Sequence, residues 1–345
     1  MAENNFHDGL TVSSSPHLVT TLDTRKTMIC VLAALAPSAV MSAVFFGIYP
    51  VCLILGCMAF SALCEYLYDR IMKLQNTVKD CSSLVTGAIL ALTLPPTLPI
   101  WMAFIGCAVS IIIVKCLYGG LGKNIANPAI VGRIVLLLSF TTQMTTWQYT
   151  GFQRAAGIDG MTGPTPLGQL ADGAFSSAPG LMDLLLGNKG GSLGETCIIA
   201  ILAGGIFLIV SRIISPLIPC IYLGTVFVFA FIYYLAVPQE GAGALYMAVF
   251  HLLTGGAVFG AFFCATDYVT SPILKRGKVI YAIGCGFFTM VIRLFCSYPE
   301  GASFAILFMN IMTPLIDKYT TDSYYGVTKR AREEKKRAKE GEANG

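Results

Sequence analysis

Met28-Ile-Cys-Val-Leu-Ala-Ala-Leu-Ala-Pro-Ser-Ala-Val-Met-Ser-Ala-Val-Phe-Phe-Gly-Ile48 decides the fold class of this chain, because its 21 residues include no charged side chain. A helix needs about 20 consecutive apolar residues to cross the hydrocarbon core of a bilayer. Of all 345 residues, 55% are hydrophobic and 12% are charged, whereas soluble domains carry about 25% charged residues. The sequence therefore predicts an integral membrane protein.

Further apolar runs along the chain predict about ten transmembrane helices. The third run is short and ends at Pro95-Pro96, which favours a broken or partly re-entrant span. We expect an all-α polytopic membrane protein built from a cytoplasmic segment 1–27, a five-helix half 28–143, a long loop 144–193, a second five-helix half 194–318 and a basic cytoplasmic tail 319–345. The ten predicted runs are 28–48, 51–68, 82–95, 98–118, 127–143, 194–213, 217–236, 243–265, 279–297 and 301–317.

The distribution of Lys and Arg predicts the orientation of these spans. With the N-terminus inside, nearly all positive charges fall in cytoplasmic segments, and the outer loops keep only Arg154 and Lys189 away from helix ends. Both termini are then cytoplasmic and the long loop is extracytoplasmic. Seven of the 23 Lys and Arg residues lie in Lys329–Lys339, and we interpret this run as a solvated tail that fixes topology, with no nucleic-acid partner.

Five spans in each half imply that the two halves have opposite orientations. A weak internal sequence repeat supports this orientation. Thr86-Gly87 begins the run that ends at Pro95-Pro96, and Thr254-Gly255-Gly256 begins the run that ends at Thr270-Ser271-Pro272. Inverted repeats with broken helices are typical of transport proteins. The pattern predicts two inverted halves and leaves a secondary transporter open as one function.

The long loop contains Gly157-Ile-Asp-Gly-Met-Thr-Gly-Pro-Thr-Pro-Leu167. Glycine and proline at this density mark tight turns, and we expect the Thr165 hydroxyl to lie in an exposed turn. From the residues alone, the stretch fits either a loop closed by Asx or hydroxyl turns or a functional site.

This motif resembles the Asp-Gly-x-Ser/Thr-x-Ala-Thr-Pro-Leu motif of the family that contains the D subunits of Rnf complexes and the B subunits of sodium-pumping NADH:quinone reductases. The resemblance implies FMN esterified through its phosphate to Thr165, with Asp159, Gly160, Thr162 and Gly163 completing the motif. Pro164 departs from the usual small residue. Other stretches similar to the family are Val12–His17, Asp80–Gly87, Leu117–Asn124, Asn127–Arg133, Thr266–Ser271, Tyr298–Gly301 and Tyr324–Gly326.

The resemblance favours the Rnf-type protein, since the quinone-reductase relative has a longer N-terminal extension. It implies a subunit of a prokaryotic plasma-membrane complex that moves electrons between ferredoxin and NAD and couples them to Na⁺ or H⁺ translocation, without a complete active site on this chain. The implied partners are the A, B, C, E and G subunits, with the FMN-bearing G subunit nearest, and the lipid bilayer. A second, noncovalent flavin such as riboflavin is also implied. A non-redox scaffold protein is the other alternative.

Other candidate site residues have a structural and a functional interpretation. Gly119 and Gly120 fit a tight helix–helix turn, or a flat site for a second flavin or a quinone ring, because glycine permits close backbone approach. Arg133 fits stabilisation of a reduced flavin or a phosphate, or snorkelling to the interface. Asp267 fits contact with a cation, or pairing with Lys275 or Arg276. The 12 cysteines include no Cys-x-x-Cys pair, so no iron–sulfur or zinc site is expected.

Overall fold

The computed structural model describes residues 23–151, 153, 162–171, 173, 179–239, 241–296 and 300–320. The described residues do not include Asp159, Gly160, residues 1–22 or the basic tail, so the predictions made for them stay predictions. The described helices are α1 Thr24–Phe46, α2 Tyr49–Ile71, α3 Ser82–Leu92, α4 Ile100–Cys116, α5 Pro128–Ser139, α6 Thr141–Thr145, α7 Pro166–Ala171, α8 Leu181–Leu186, α9 Ile198–Val210, α10 Leu217–Ala236, α11 Ala244–Leu253, α12 Ala257–Cys264, α13 Lys275–Phe295 and α14 Ala302–Thr320.

The chain is a multi-pass membrane protein that is mostly helical. Among the described residues, α1, α2, α10 and α13 are long and apolar enough to cross a bilayer, and the bent pair α11–α12 makes a fifth candidate span. Helices α3, α4, α5 and α9 are apolar but shorter. Large apolar side chains such as Val40, Leu55 and Ile232 are about three-fifths exposed on the outer faces of these helices, as expected for surfaces that face lipid tails.

A small antiparallel ribbon interrupts the helical pattern. Strand β1, Trp147–Gln148, pairs with β2, Thr162–Gly163, in the register Trp147↔Gly163 and Gln148↔Thr162. The expectation of an all-α chain did not include this ribbon, which is too short to leave a sequence pattern. It brings the start and the middle of the predicted loop together immediately before Thr165.

Helix α3 ends inside the protein, as the short third run suggested. Nine of its eleven residues are buried, so it is a central helix without a lipid face. Beyond its end, the carbonyls of Leu92 and Leu94 accept hydrogen bonds from the backbone N–H groups of Gly194 and Leu193, at 2.6 and 3.1 Å. A Cβ at Gly194 would lie 2.9 Å from the Leu92 Cβ. The two backbones therefore satisfy each other's polar groups where water is excluded.

The second central helix, α12, is separated from α11 by a 61° bend. Gly255 and Gly256 both have left-handed backbone angles, with φ of 64° and 65°, which explains why glycine occupies both positions. All eight residues of α12 are buried. The break leaves carbonyl groups of α11 without helical partners, and cationic side chains bond to them.

The first five long helices contact the later ones at several places. Helix α1 packs on α9, and α5 packs on α14. Asn127 caps α5 by accepting from the Ala129 N–H at 3.0 Å, and its amide donates to the Cys264 carbonyl at the end of α12 at 3.2 Å. One large apolar core runs through both parts of the chain, so the loop residues rest on a shared scaffold.

Candidate functional site

A cavity of about 340 Å³ lies between the short helix α7 of the loop, helices α5 and α6, and the start of α14. Thr165 and Arg133, which the sequence singled out for separate reasons, both line it. Small-molecule sites typically have volumes of about 300–1,000 Å³, so this cavity has the size of a ligand site. Its other lining residues are Ile134, Leu137, Thr141, Met144, Thr145, Trp147, Pro164, Gly168, Glu300, Ser303 and Phe304.

Thr165 sits between strand β2 and helix α7. Its hydroxyl oxygen accepts the Gly168 N–H at 3.1 Å, and its carbonyl accepts the Gln169 N–H at 2.9 Å. Thr165 is therefore the N-cap of α7, a position that favours threonine. The expectation of an exposed turn is wrong, since Thr165 is only 5% exposed. The cap and the cavity wall enclose the side chain, which a count of turn residues does not reveal.

The motif glycine before Pro164 has a steric role. A Cβ at Gly163 would overlap the ring and hydroxyl of Tyr149, so a larger residue would require the Tyr149 side chain to move. The ribbon pairs Gly163 with Trp147, which lines the cavity. The ribbon thus places Trp147 and Thr165 at one cavity, whereas Thr162 is exposed.

Arg133 forms an ion pair with Glu300 in the wall of the cavity. The guanidinium Nη2 lies 2.6 Å from Glu300 Oε2, and the two side chains are 10% and 14% exposed. Arg133 therefore does not snorkel to the surface, because a counter-charge is available inside the protein. The second carboxylate oxygen of Glu300, Oε1, is buried and has no hydrogen-bond partner among the described residues. The wall of the cavity therefore contains one cation and its counter-charge.

The carboxyl group of Glu300 lies outside the spans and titrates at an unusual pH. Burial raises its pKa from 4.5 to about 7, and the nearby Glu195 carboxylate adds to this effect. The guanidiniums of Arg133 and Arg293 act in the opposite direction and lower the pKa. Desolvation prevails because a buried carboxylate loses hydration that a single pair does not fully replace. The charge of the cavity wall therefore changes near neutral pH.

The glycines proposed for a second ring lie elsewhere. Gly119 and Gly120 form a turn after α4, both with left-handed backbone angles, φ of 105° and 87°. A Cβ at Gly119 would lie 2.9 Å from the Lys123 side chain. Neither glycine is part of the described lining of the Arg133 cavity. The structure brings Arg133 to Thr165 and does not bring it to these glycines.

Asp267 lies in the turn after α12 and beside a smaller cavity of about 100 Å³. Its carboxylate accepts the Thr270 hydroxyl at 3.1 Å and the Val269 N–H at 3.5 Å. Burial raises the pKa of Asp267. Among the residues that the structure describes, no three His, Cys, Asp or Glu side chains are grouped so as to hold a metal ion. The local bonds account for its position, and its contact with a cation stays a prediction.

Sequence reasoning assigned no role to several buried charges that the structure pairs. Lys115 lies 2.6 Å from Glu65, both about 1% exposed, and also donates to the Ser82 hydroxyl at 2.8 Å. Arg293 bonds to carbonyls at the α11–α12 break. The signal was present, because each charge interrupts an apolar run and buried charges in membrane helices are costly.

The comparisons with known proteins decide the family. The family model described as "NQR2, RnfD, RnfE family" matches residues 11–326. The chain belongs to this family. Members with similar sequences include the D subunit of the "Na(+)-translocating ferredoxin:NAD(+) oxidoreductase complex" of Acetobacterium woodii, which is 42% identical over 328 residues, covering 94% of this chain and 98% of the relative.

Two other members of the family are similar over nearly their whole length. The D subunit of the "Proton-translocating ferredoxin:NAD(+) oxidoreductase complex" of Clostridium ljungdahlii is 38% identical over 94% of this chain and 99% of its own. The D subunit of the "Ion-translocating oxidoreductase complex" of Stutzerimonas stutzeri is 39% identical over 87% of this chain and 92% of its own. These names assign sodium to one relative and protons to another, so similarity alone does not choose the ion.

Proposed function

We propose that this chain is the D subunit of an ion-translocating ferredoxin:NAD oxidoreductase, and that it carries FMN as a phosphoester on Thr165. The names of its relatives support the class of complex. The observation that carries the flavin site is the shared cavity: Thr165 of the loop motif and Arg133 of a distant helix line the same ligand-sized space. A transporter or a scaffold has no need of this arrangement.

The residues of the cavity fit an attached flavin. Arg133 offers positive charge to a phosphate or to the negative charge of a reduced ring. Trp147 and Phe304 offer aromatic surface from opposite elements, the ribbon and α14. Glu300 brings a carboxyl group to the same wall, where its Oε2 pairs with Arg133. The volume and this donor and acceptor set both match a flat, polar-edged ring with an anionic tail.

FMN accepts electrons in pairs and releases them singly, which is the chemistry it would supply here. The chain's own residues would hold and orient it. The ester at Thr165 fixes one end, the ribbon holds Trp147 at the wall, and the Arg133–Glu300 pair sets the local charge. Since the Thr165 hydroxyl is buried, we infer that attachment precedes full packing of the loop.

We further propose ten spans in two inverted halves. Two buried cations occupy comparable places in the two halves. Lys115, on the helix after α3, donates to the Ser82 hydroxyl at the start of α3. Arg293, on the helix after α12, donates to the carbonyls of Thr254 and Gly255 just before α12. A cation from the next helix thus bonds to a group at the start of α3 and to groups just before the start of α12. This repetition supports the inverted arrangement.

The proposed topology places both termini in the cytoplasm and the Thr165 loop outside, in a prokaryotic plasma membrane. The expected partners are the A, B, C, E and G subunits, and the G subunit, which carries its own FMN in the family, is the expected neighbour of the loop. A second, noncovalent flavin such as riboflavin is part of the same proposal. The coupling ion is Na⁺ or H⁺.

The attachment is tested by flavin fluorescence on a denaturing gel. The full chain is produced with a flavin-transferring enzyme, and wild type is compared with Thr165→Ala, Thr165→Ser and Thr162→Ala. We expect a fluorescent band for wild type, for Thr165→Ser and for the Thr162→Ala control, and none for Thr165→Ala. Fluorescence that survives Thr165→Ala would place the flavin elsewhere. A wild-type band without flavin fluorescence would favour the transporter or scaffold alternatives.

A further inference from the structure

Four cations lie together where helix α13 begins and helix α14 ends. They are Lys275, Arg276, Lys278 and Lys318, which we call the basic patch. The two helix ends are in contact. Asp317 Oδ1 of α14 accepts the Ile273 N–H, just before α13, at 3.3 Å. A Cβ at Gly277 of α13 would lie 3.1 Å from the Thr320 hydroxyl of α14. The basic patch is therefore one surface at one end of this helix pair.

The basic patch carries more positive than negative charge. Residues 271–280 and 311–320 contain four cations and one carboxylate, that of Asp317. When Asp317 pairs with one of the cations, three positive charges remain. The first turn of α13 holds three of the cations and no acidic residue, although cations are unfavourable near the positive end of a helix dipole. The patch therefore does not stabilise α13 itself, and an anion bound beside it would relieve the repulsion.

Lipid-facing side chains border the basic patch. Ile280 and Leu315, each within one turn of a cation of the patch, are about half exposed. Helix α13 is long and apolar enough to cross a bilayer, so its first turn lies at the edge of the hydrocarbon core. Tyr319, beside Lys318, is 78% exposed, and tyrosine is enriched at the level of the headgroups. The patch therefore faces the layer of lipid headgroups.

We propose that the basic patch binds the phosphate group of an anionic phospholipid, whose acyl chains lie along Ile280 and Leu315. Lysine and arginine side chains are donors of charge-assisted hydrogen bonds to phosphate oxygens. A zwitterionic lipid brings its own cation and gains less from the patch, so the site selects for net negative charge. Binding of this lipid does not depend on flavin at Thr165 or on the orientation of the chain in the membrane.

Binding is measured by native mass spectrometry of the full-length chain, which is freed of lipid in detergent micelles. One arm is titrated with dioleoyl phosphatidylglycerol, an anionic lipid, and the other with dioleoyl phosphatidylcholine, a zwitterionic lipid with the same acyl chains. We expect phosphatidylglycerol to bind more tightly. One cation near a membrane surface changes binding about fivefold. Lys278→Gln/Lys318→Gln should therefore weaken phosphatidylglycerol binding about 25-fold and leave phosphatidylcholine binding unchanged.

Matched variants locate the bound lipid. Arg70→Gln/Lys73→Gln removes the same charge from exposed positions at the end of α2 and should leave phosphatidylglycerol binding unchanged. Lys278→Arg/Lys318→Arg keeps the charge and should keep the binding. Equal binding of the two lipids to wild type would overturn the proposal, as would equal weakening by the two Gln pairs. Loss of lipid binding in an excess of inorganic phosphate would identify free phosphate as the ligand and overturn it as well.

Discussion

Arg133 of α5 and Glu300, just before α14, lie 2.6 Å apart and join the two parts of the chain at the wall of the Thr165 cavity. Neither side chain is more than 14% exposed. Each is therefore the counter-charge that allows the other to remain buried. The pair holds α5 to the start of α14 and sets the charge in the wall of the cavity.

Substitution of one member of this pair should destabilise the folded chain. Arg133→Met removes the cation beside Glu300 and should lower the free energy of unfolding by about 3 kcal/mol above about pH 8, and by less at lower pH, where the carboxyl takes up a proton. The measurement is chemical unfolding in mixed micelles, followed by circular dichroism. The double variant Arg133→Met/Glu300→Met should recover most of the loss, because apolar replacement of both charges is close to neutral. A double variant as unstable as the single one would argue against the pair.

The Glu300 carboxyl should take up a proton near neutral pH. Its folded pKa of about 7 lies above the ordinary value, so the folded chain binds the proton more tightly than the unfolded chain. Its contribution to stability is fully present below about pH 4.3 and is lost as the pH rises towards 7. Infrared difference spectra of wild type minus Glu300→Gln report the protonated carboxyl band directly. A midpoint at or below the ordinary value for glutamate would show that Arg133 outweighs burial.

The α11–α12 break should depend on Arg293. Its guanidinium donates to the carbonyls of His251, Thr254 and Gly255, at 2.6–3.0 Å. Arg293→Met should destabilise the chain by about 3 kcal/mol or more, because several buried carbonyls lose their donor. Lys275→Met, an exposed position at the start of the same helix, should change stability by no more than about 0.5 kcal/mol. Equal effects of the two substitutions in the same unfolding assay would refute the capping role.

Helices α2 and α3 should tolerate no side chain at Gly87. An added Cβ would lie 2.7 Å from the Cys57 carbonyl oxygen and 2.9 Å from the Met58 Cα. Gly87→Ala should therefore cost about 1–3 kcal/mol through overpacking. At Gly224 of α10 nothing lies within 4 Å of an added Cβ, and Gly224→Ala should be neutral or stabilising by up to about 1 kcal/mol. Thermal unfolding of both variants checks the contrast, and a neutral Gly87→Ala would refute the close approach.

The sequence predicted the parts of the fold that depend on local pattern. A helix occurs within each of the ten apolar runs, since long apolar stretches leave the backbone no other way to satisfy its polar groups in lipid. The short third run was also visible, because proline interrupts helices in any environment. The sequence predicted a single run over 243–265 and did not predict the 61° bend at Gly255-Gly256. For the site, the motif and the isolated charge in α5 singled out Thr165 and Arg133 independently.

The remaining features depend on tertiary contacts that no local pattern encodes. The sequence did not predict that Thr165 would be buried, because the N-cap bond and the cavity form only when the loop packs on α5 and α14. It did not pair Arg133 with Glu300, which are 167 residues apart. Lys115 and Arg293 were visible as charges in apolar runs, but their partners, Glu65 and the carbonyls of a broken helix, are set by packing.

Mass spectrometry of the peptide Ala155–Lys189, released by trypsin from the chain produced with a flavin-transferring enzyme, shows whether FMN is bound to Thr165. This peptide contains both Thr162 and Thr165. We expect its mass to rise by that of FMN less one water, and fragmentation to assign the addition to Thr165. An unmodified peptide, or an addition on Thr162 or any other residue, would show that Thr165 is not the attachment site.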